Sequence, residues 1–145
     1  MGQQHMILIK NGRVVDPVTN TDKIMDVLIK DNKIAEVSEH IEASGAQVID
    51  AAGLVVAPGL VDTHVHFRDP GFTYKEDIET GARAAAKGGF TMVVCMANTK
   101  PAVDNIETLD YIQKKGEKTG INVLQTATVT KGLKGTELVD MEQLA

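Results

Sequence analysis

The sequence holds a single cysteine, Cys95, so no disulfide can close within the chain. Set in an apolar run, that residue reads as a small buried hydrophobe in a reducing compartment. Lysine and arginine form no cluster, and the formal net charge is -5. Nucleic acid and anionic membrane surfaces both reward concentrated positive charge, so neither is expected as a partner and a small-molecule ligand is. No stretch approaches the ~18 apolar residues of a spanning helix. The start also lacks the basic-then-apolar pattern of a signal peptide, and a cytoplasmic location is expected. What is present is 43% hydrophobic and 24% charged residues over 145 positions, the composition of a globular domain with a modest core.

Residues 1–5 differ in character from the strand pattern that follows, Met6 would serve as a natural start, and the segment reads as an added leader in which His5 has no role. Residues 6–57 read as a small β-region of short alternating strands and turns. Asn11-Gly12 is a hairpin signal between residues 6–10 and 13–16, because a type I′ turn needs positive φ at both central positions. Residues 26–30 and 34–38 flank a polar turn at 31–33, and residues 47–51 and 54–57 make a third pair around Ala52-Gly53. Pro58-Gly59 marks the boundary.

From 58 to 145 the rhythm becomes strand, loop, helix. The spacing predicts buried strands over 60–66, 90–96 and 122–128. Helices are predicted from a capping box at Thr73 and Glu76 to about Lys87, over 105–119, and from Glu137 onward. This alternation means βαβ units on a parallel sheet, with functional groups gathered at the carboxyl ends of the strands. Three such units cannot close a barrel, and the chain reads as a fragment with an open apolar edge.

The chemistry concentrates in Gly59-Leu60-Val61-Asp62-Thr63-His64-Val65-His66-Phe67-Arg68-Asp69-Pro70-Gly71. On a regular strand Asp62, His64, His66 and Arg68 share one face, about 6.6 Å apart in succession, and two imidazoles at that spacing can reach one ion. Imidazole favours zinc and related transition metals. The alternative is two histidines hydrogen-bonded at the top of a sheet. Asp62 either orients a ligand histidine or is an acid satisfied by backbone groups. Arg68 either forks a substrate carboxylate or pairs with Asp69 or Glu76. Asn98, delivered by the second strand, can donate to and accept from a substrate, or is a turn residue. Thr130 and Lys131 read as a polar loop, and His40 as a solvated one.

The run 62–71, Tyr74-Lys75-Glu76-Asp77-Ile78-Glu79-Thr80-Gly81, Gly88-Gly-Phe-Thr91 and Met96-Ala-Asn-Thr-Lys-Pro101 together resemble bacterial dihydroorotase of the amidohydrolase superfamily, over the amino-terminal third of a typical member. Ala97 departs from the proline usual there. The resemblance implies an α/β fold, the amino-terminal part of a metal-dependent (β/α)₈ barrel preceded by strands of a small β-sandwich, with the barrel incomplete in this chain. It implies zinc-dependent, reversible conversion of L-dihydroorotate to N-carbamoyl-L-aspartate, and possession of one or two zinc ions. His64 and His66 carry over as metal ligands, and His66, Arg68 and Asn98 as substrate-binding groups. The acid-base aspartate and the remaining ligands are expected beyond Ala145, so the chain alone is expected to be inactive. A homodimer is also implied. The alternatives are another cyclic amidohydrolase (hydantoinase, dihydropyrimidinase or allantoinase) and a non-catalytic scaffold subunit of the same fold.

Overall fold

A computed structural model describes residues 5–144. These separate into two compact units, one ending at Pro58 and the other beginning at Gly59.

The first unit is a mixed sheet of β1 (Met6–Asp16), β2 (Thr21–Lys30), β3 (Lys33–Ser38), β4 (Gln47–Asp50) and β5 (Val55–Val56). The order is β3-β2-β1-β4, with β5 pairing farther along β1. Asn11-Gly12 is not a hairpin turn but a bulge inside one long strand. Asn11 does adopt a left-handed φ of 61°. Its N–H, however, is taken by Asp26 Oδ1 at 2.8 Å and its side-chain amide by Asp50 Oδ1 at 3.1 Å, so the kink is absorbed without reversing the chain. The reversal falls at residues 17–20, where the Asp16 carboxylate accepts from Val18 N–H and the Thr19 hydroxyl. Asp31 and Asn32, with φ of 50° and 61°, form the tight turn between β2 and β3. The expected third pair is also corrected: β4 and β5 each run parallel to β1 rather than pairing with one another.

In the second unit β6 (Leu60–Val65), β7 (Phe90–Cys95) and β8 (Asn122–Gln125) form a parallel sheet in that order. They alternate with α1 (Ile78–Lys87) and α2 (Ile106–Gly116), the βα alternation the sequence predicts. Ile78 and Ala82 of α1 and Leu109 and Ile112 of α2 bury against Val93 and Cys95 of β7. Each large aliphatic side chain so buried is worth about 1.5–3 kcal/mol. Helix α1 starts later than the Thr73 signal suggests. Residues 72–75 are spent in turns (Phe72 N–H to Arg68 O, 2.9 Å; Lys75 N–H to Phe72 O, 2.8 Å), and Asp77 caps the helix by accepting from Thr80 N–H at 2.8 Å. A side chain at Gly81 would meet the Phe67 ring at 2.5 Å, so glycine lets α1 lie directly on that ring. Helix α2 is capped by Asn105 and stops at Gly116, where the Thr119 hydroxyl donates to the Gly116 carbonyl.

Two further expectations fail. Strand β6 is not buried on both faces: among the described residues it lies at the edge of the sheet, paired only with β7, and Leu60 and Val61 are 54% and 52% exposed. The third helix does not form among the described residues. Gly132, Leu133 and Gly135 all have positive φ and turn the chain back on itself, so Leu138 bridges to Thr130 and Val139 N–H donates to Val129 O. A single 3₁₀ turn, Lys131–Leu133, stands in that loop. Ala145 lies outside the described residues. No helix among them is long and apolar enough to cross a membrane.

Candidate functional site

Strand β6 and the loops leaving the carboxyl ends of β6 and β7 carry the candidate residues. Strand geometry does not carry them all onto one face, because β6 ends at Val65 and its pairing is irregular between Asp62 and Val65. Asp62 Oδ1 accepts from the backbone N–H of His64 at 3.0 Å, so its contact is with main chain rather than with an imidazole. The two rings nevertheless converge. His64 is exposed and His66 half-buried, and their ring centres stand 5.2 Å apart, edge to face. Two imidazoles bonded to one tetrahedral ion at about 2.0–2.1 Å put their ring centres about 5 Å apart, so this donor pair fits a shared zinc. It is a partial set, since no group of three or more His, Cys, Asp and Glu residues able to hold a metal occurs among the described residues.

Asn98 meets this pair from the next strand, its Oδ1 2.8 Å from His66 Nδ1. The Asn98 loop is closed by Val103 N–H to Ala97 O at 3.1 Å over the fully buried Val103. The two loops also touch through main chain, Lys100 N–H donating to Pro70 O at 3.0 Å. At Gly71, φ is 92° and a Cβ would lie 2.1 Å from the Lys100 carbonyl oxygen. Only glycine satisfies both the backbone angle and that approach. Gly71→Ala is therefore expected to cost about 2 kcal/mol in urea unfolding, from the positive φ and the forced separation of the loops. A midpoint unchanged from the parent would show that the approach contributes nothing.

Arg68 has a φ of 61°, uncommon for a residue with a long side chain. Its carbonyl accepts from Phe72 N–H, but its side chain has no hydrogen-bond or ion-pair partner among the described residues. Its adjacent acid is already engaged. Asp69, with a fully buried side chain, accepts from Lys115 Nζ at 2.7 Å and Tyr111 OH at 2.9 Å, both from α2, and from Ile78 N–H at 3.4 Å. Lys115 also sits over the Tyr111 ring. The hydrogen bond that Lys115 donates to Asp69 raises the Lys115 pKa above its ordinary value, only in part offset by burial. Glu76, the other acid considered for Arg68, accepts from Asp77 N–H and the Thr80 hydroxyl. Sequence reasoning missed the Asp69 clamp, whose partners lie 42 and 46 residues away. Tyr111 and Lys115 stand one helical turn apart, the only local signal available.

The remaining polar candidates have other partners. His40 is exposed, with Nε2 2.9 Å from Glu42, and Lys131 pairs with Glu137. Cys95, at the end of β7, is buried, and burial pushes its thiol up to about 11, so it is a packing residue at neutral pH.

A family model described as dihydro-orotase-like matches residues 53–145. The chain belongs to the dihydro-orotase-like family. Over 140 residues it is 61% identical to the dihydroorotase of Clostridioides difficile, covering 96% of this chain and 33% of that protein. It is 56% identical over 140 residues to the dihydroorotase of Clostridium acetobutylicum, with the same coverage. The chain thus spans about a third of the length of the curated relatives it matches. Among solved structures, the L-hydantoinase (dihydropyrimidinase) from Arthrobacter aurescens superposes with a TM-score of 0.75 at 29% identity, over 86% of this chain and 28% of that one. The dihydropyrimidinase from Brevibacillus agri gives 0.71 at 25% identity, over 96% and 36%. The dihydro-orotase-like match includes every candidate from Asp62 to Asn98, and these two structural neighbours are a hydantoinase and a dihydropyrimidinase by name.

Proposed function

We propose that this chain forms the first part of a dihydroorotase, a zinc-dependent (β/α)₈ hydrolase in the cytoplasm whose carboxylate-bearing substrate is held by Arg68. The observation that carries the substrate assignment is Arg68 itself: half-buried, two residues along the chain from His66, and free of both neighbouring acids because Asp69 and Glu76 are occupied elsewhere. A guanidinium in that state fits a carboxylate through two parallel N–H···O bonds. The Asn98 amide, with both N–H groups still free to donate, adds a further bond to the same anion. His64 and His66 would hold the zinc, with His66 bordering the substrate. Bound zinc supplies polarisation of the ring carbonyl and a lowered pKa for the attacking water. Water adds to the carbonyl carbon, the ring C–N bond breaks as its nitrogen takes up a proton, and the products are a new carboxylate and the terminal ureido NH2 of N-carbamoyl-L-aspartate.

The complete protein is expected to open dihydroorotate in a reaction stopped by a chelator and restored by zinc. A rate indifferent to zinc removal would defeat the metal assignment, and preference for dihydrouracil over dihydroorotate would favour a hydantoinase or dihydropyrimidinase reading. The names of the structural neighbours support that second reading, and Arg68 argues against it, since an uncharged ring offers the guanidinium no partner. The 145-residue chain by itself is expected to open no ring and to lose zinc on dialysis against a mild chelator, because it brings two imidazoles and no third ligand among its described residues. A homodimer of the complete protein and the absence of nucleic-acid or membrane partners are part of the same proposal.

A further inference from the structure

We infer that Asn98 is a positioning residue that fixes the tautomer of His66, leaving the Nε2 lone pair as the one the ring presents; the use of that lone pair for zinc rests on the function proposed above. The contact is between His66 Nδ1 and the amide oxygen of Asn98 at 2.8 Å. An amide oxygen only accepts, so the ring proton sits on Nδ1 and Nε2 is unprotonated. A neutral imidazole in water prefers the opposite tautomer, with its proton on Nε2 and that nitrogen closed to a cation. Imidazoles that bind metal through one nitrogen almost always donate the other N–H to a carbonyl, carboxylate or water, and Asn98 supplies such a carbonyl. No corresponding contact is made by the His64 ring among the described residues, whose ring neighbour is His66.

Asn98 is itself held in place, which is what an orienting group requires. Flanking Ala97 is buried and its carbonyl accepts from Val103 N–H, while Val103 O accepts from Thr128 N–H at 2.8 Å. Loops from β7 and β8 therefore hold the amide against a ring carried by the loop after β6. The oxygen end of Asn98 serves the imidazole, and the nitrogen end remains for a substrate anion. One side chain thereby couples the orientation of a ligand ring to the position of the substrate.

The test is made on the metal-free chain by long-range ¹H–¹⁵N correlation spectra of the imidazoles, at about pH 8.5, above the titration range of histidine. His66 is expected as the Nδ1–H form in the parent and in Asn98→Asp, whose carboxylate also accepts. In Asn98→Leu it is expected mainly as the Nε2–H form. Zinc affinity, followed by the same signals, is expected to fall about tenfold in Asn98→Leu and to be kept in Asn98→Asp. An Nε2–H ring in the parent would overturn the inference, because the amide would then be facing the other way, and this outcome does not depend on any variant folding. So would an Asn98→Leu protein, folded by its amide dispersion, that keeps the Nδ1–H form. Zinc that leaves both parent imidazoles unmoved would instead defeat the metal role proposed for the pair, a failure distinguishable because the tautomer is read without metal.

Discussion

Replacing Asp69 by alanine should lower the stability of this chain by about 3 kcal/mol, the low end of the cost of breaking a buried ion pair. The low end applies because the Lys115 side chain is 27% exposed and can recover some water, whereas the Asp69 side chain is fully buried. The same substitution orphans the Tyr111 hydroxyl and the Ile78 N–H at the head of α1, so one carboxylate ties the β6 loop to both helices. Thermal unfolding should fall by about 10 °C or more. Tyr111→Phe, which removes one bond to a charged acceptor, should cost about 1.5 kcal/mol. The linkage has a definite sign. The folded-state pKa of Lys115 is raised by its bond to Asp69, so the clamp's contribution is fully present below the ordinary lysine value of 10.5 and is lost as pH rises through the higher folded value. Asp69→Ala should remove that alkaline loss of stability. A variant that melts with the parent would show that the clamp contributes nothing net.

In the complete protein, Arg68→Ala should reduce kcat/KM for dihydroorotate by about 10²–10³-fold, the loss of two charge-assisted hydrogen bonds at 1.5–3 kcal/mol each less solvent compensation. Arg68→Lys should recover only part, since an ammonium cannot reproduce the planar fork. Its unusual φ of 61° makes a separate point. Arg68→Gly should relieve the backbone and still lose the activity, so stability and turnover would move in opposite directions. Measured on an uncharged ring such as dihydrouracil, the same variants should differ little from the parent. Equal losses on both substrates would mean that Arg68 acts on the shape of the site and not on a carboxylate.

What could be read from the sequence divides along the range of the interactions involved. The parallel βα order follows from composition changes every few residues, and β7 buries Val93 and Cys95 because its apolar run has neighbours on both sides. Strand β6 has a similar apolar run but only one neighbour, and its exposure comes from the sheet order, which no local pattern encodes. Asn11-Gly12 carries the turn chemistry correctly, in that Asn11 is left-handed. Whether such a residue reverses a chain or bulges it depends on Asp26 and Asp50, 15 and 39 residues away. At α1 the cap is Asp77 and not the Thr73 of the expected box, because the turns after Arg68 occupy the earlier positions. The convergence of His64 and His66 was legible from their spacing. The orientation of Asn98 toward His66 and the engagement of Asp69 by α2 were not, because both join segments at least 32 residues apart.

The main-chain approach at Gly71 bears on how such a site can be altered. Lys100 N–H bonds Pro70 O there, and the carbonyl of the same Lys100 fills the space a side chain at 71 would need. The loops after β6 and β7 are therefore a single structural unit. A graft from a related enzyme that exchanges residues 66–76 alone will carry a backbone shaped for a different neighbour, and the contact between His66 and Asn98 will no longer be held in register. Changing the substrate of this scaffold calls for exchanging both segments as one cassette.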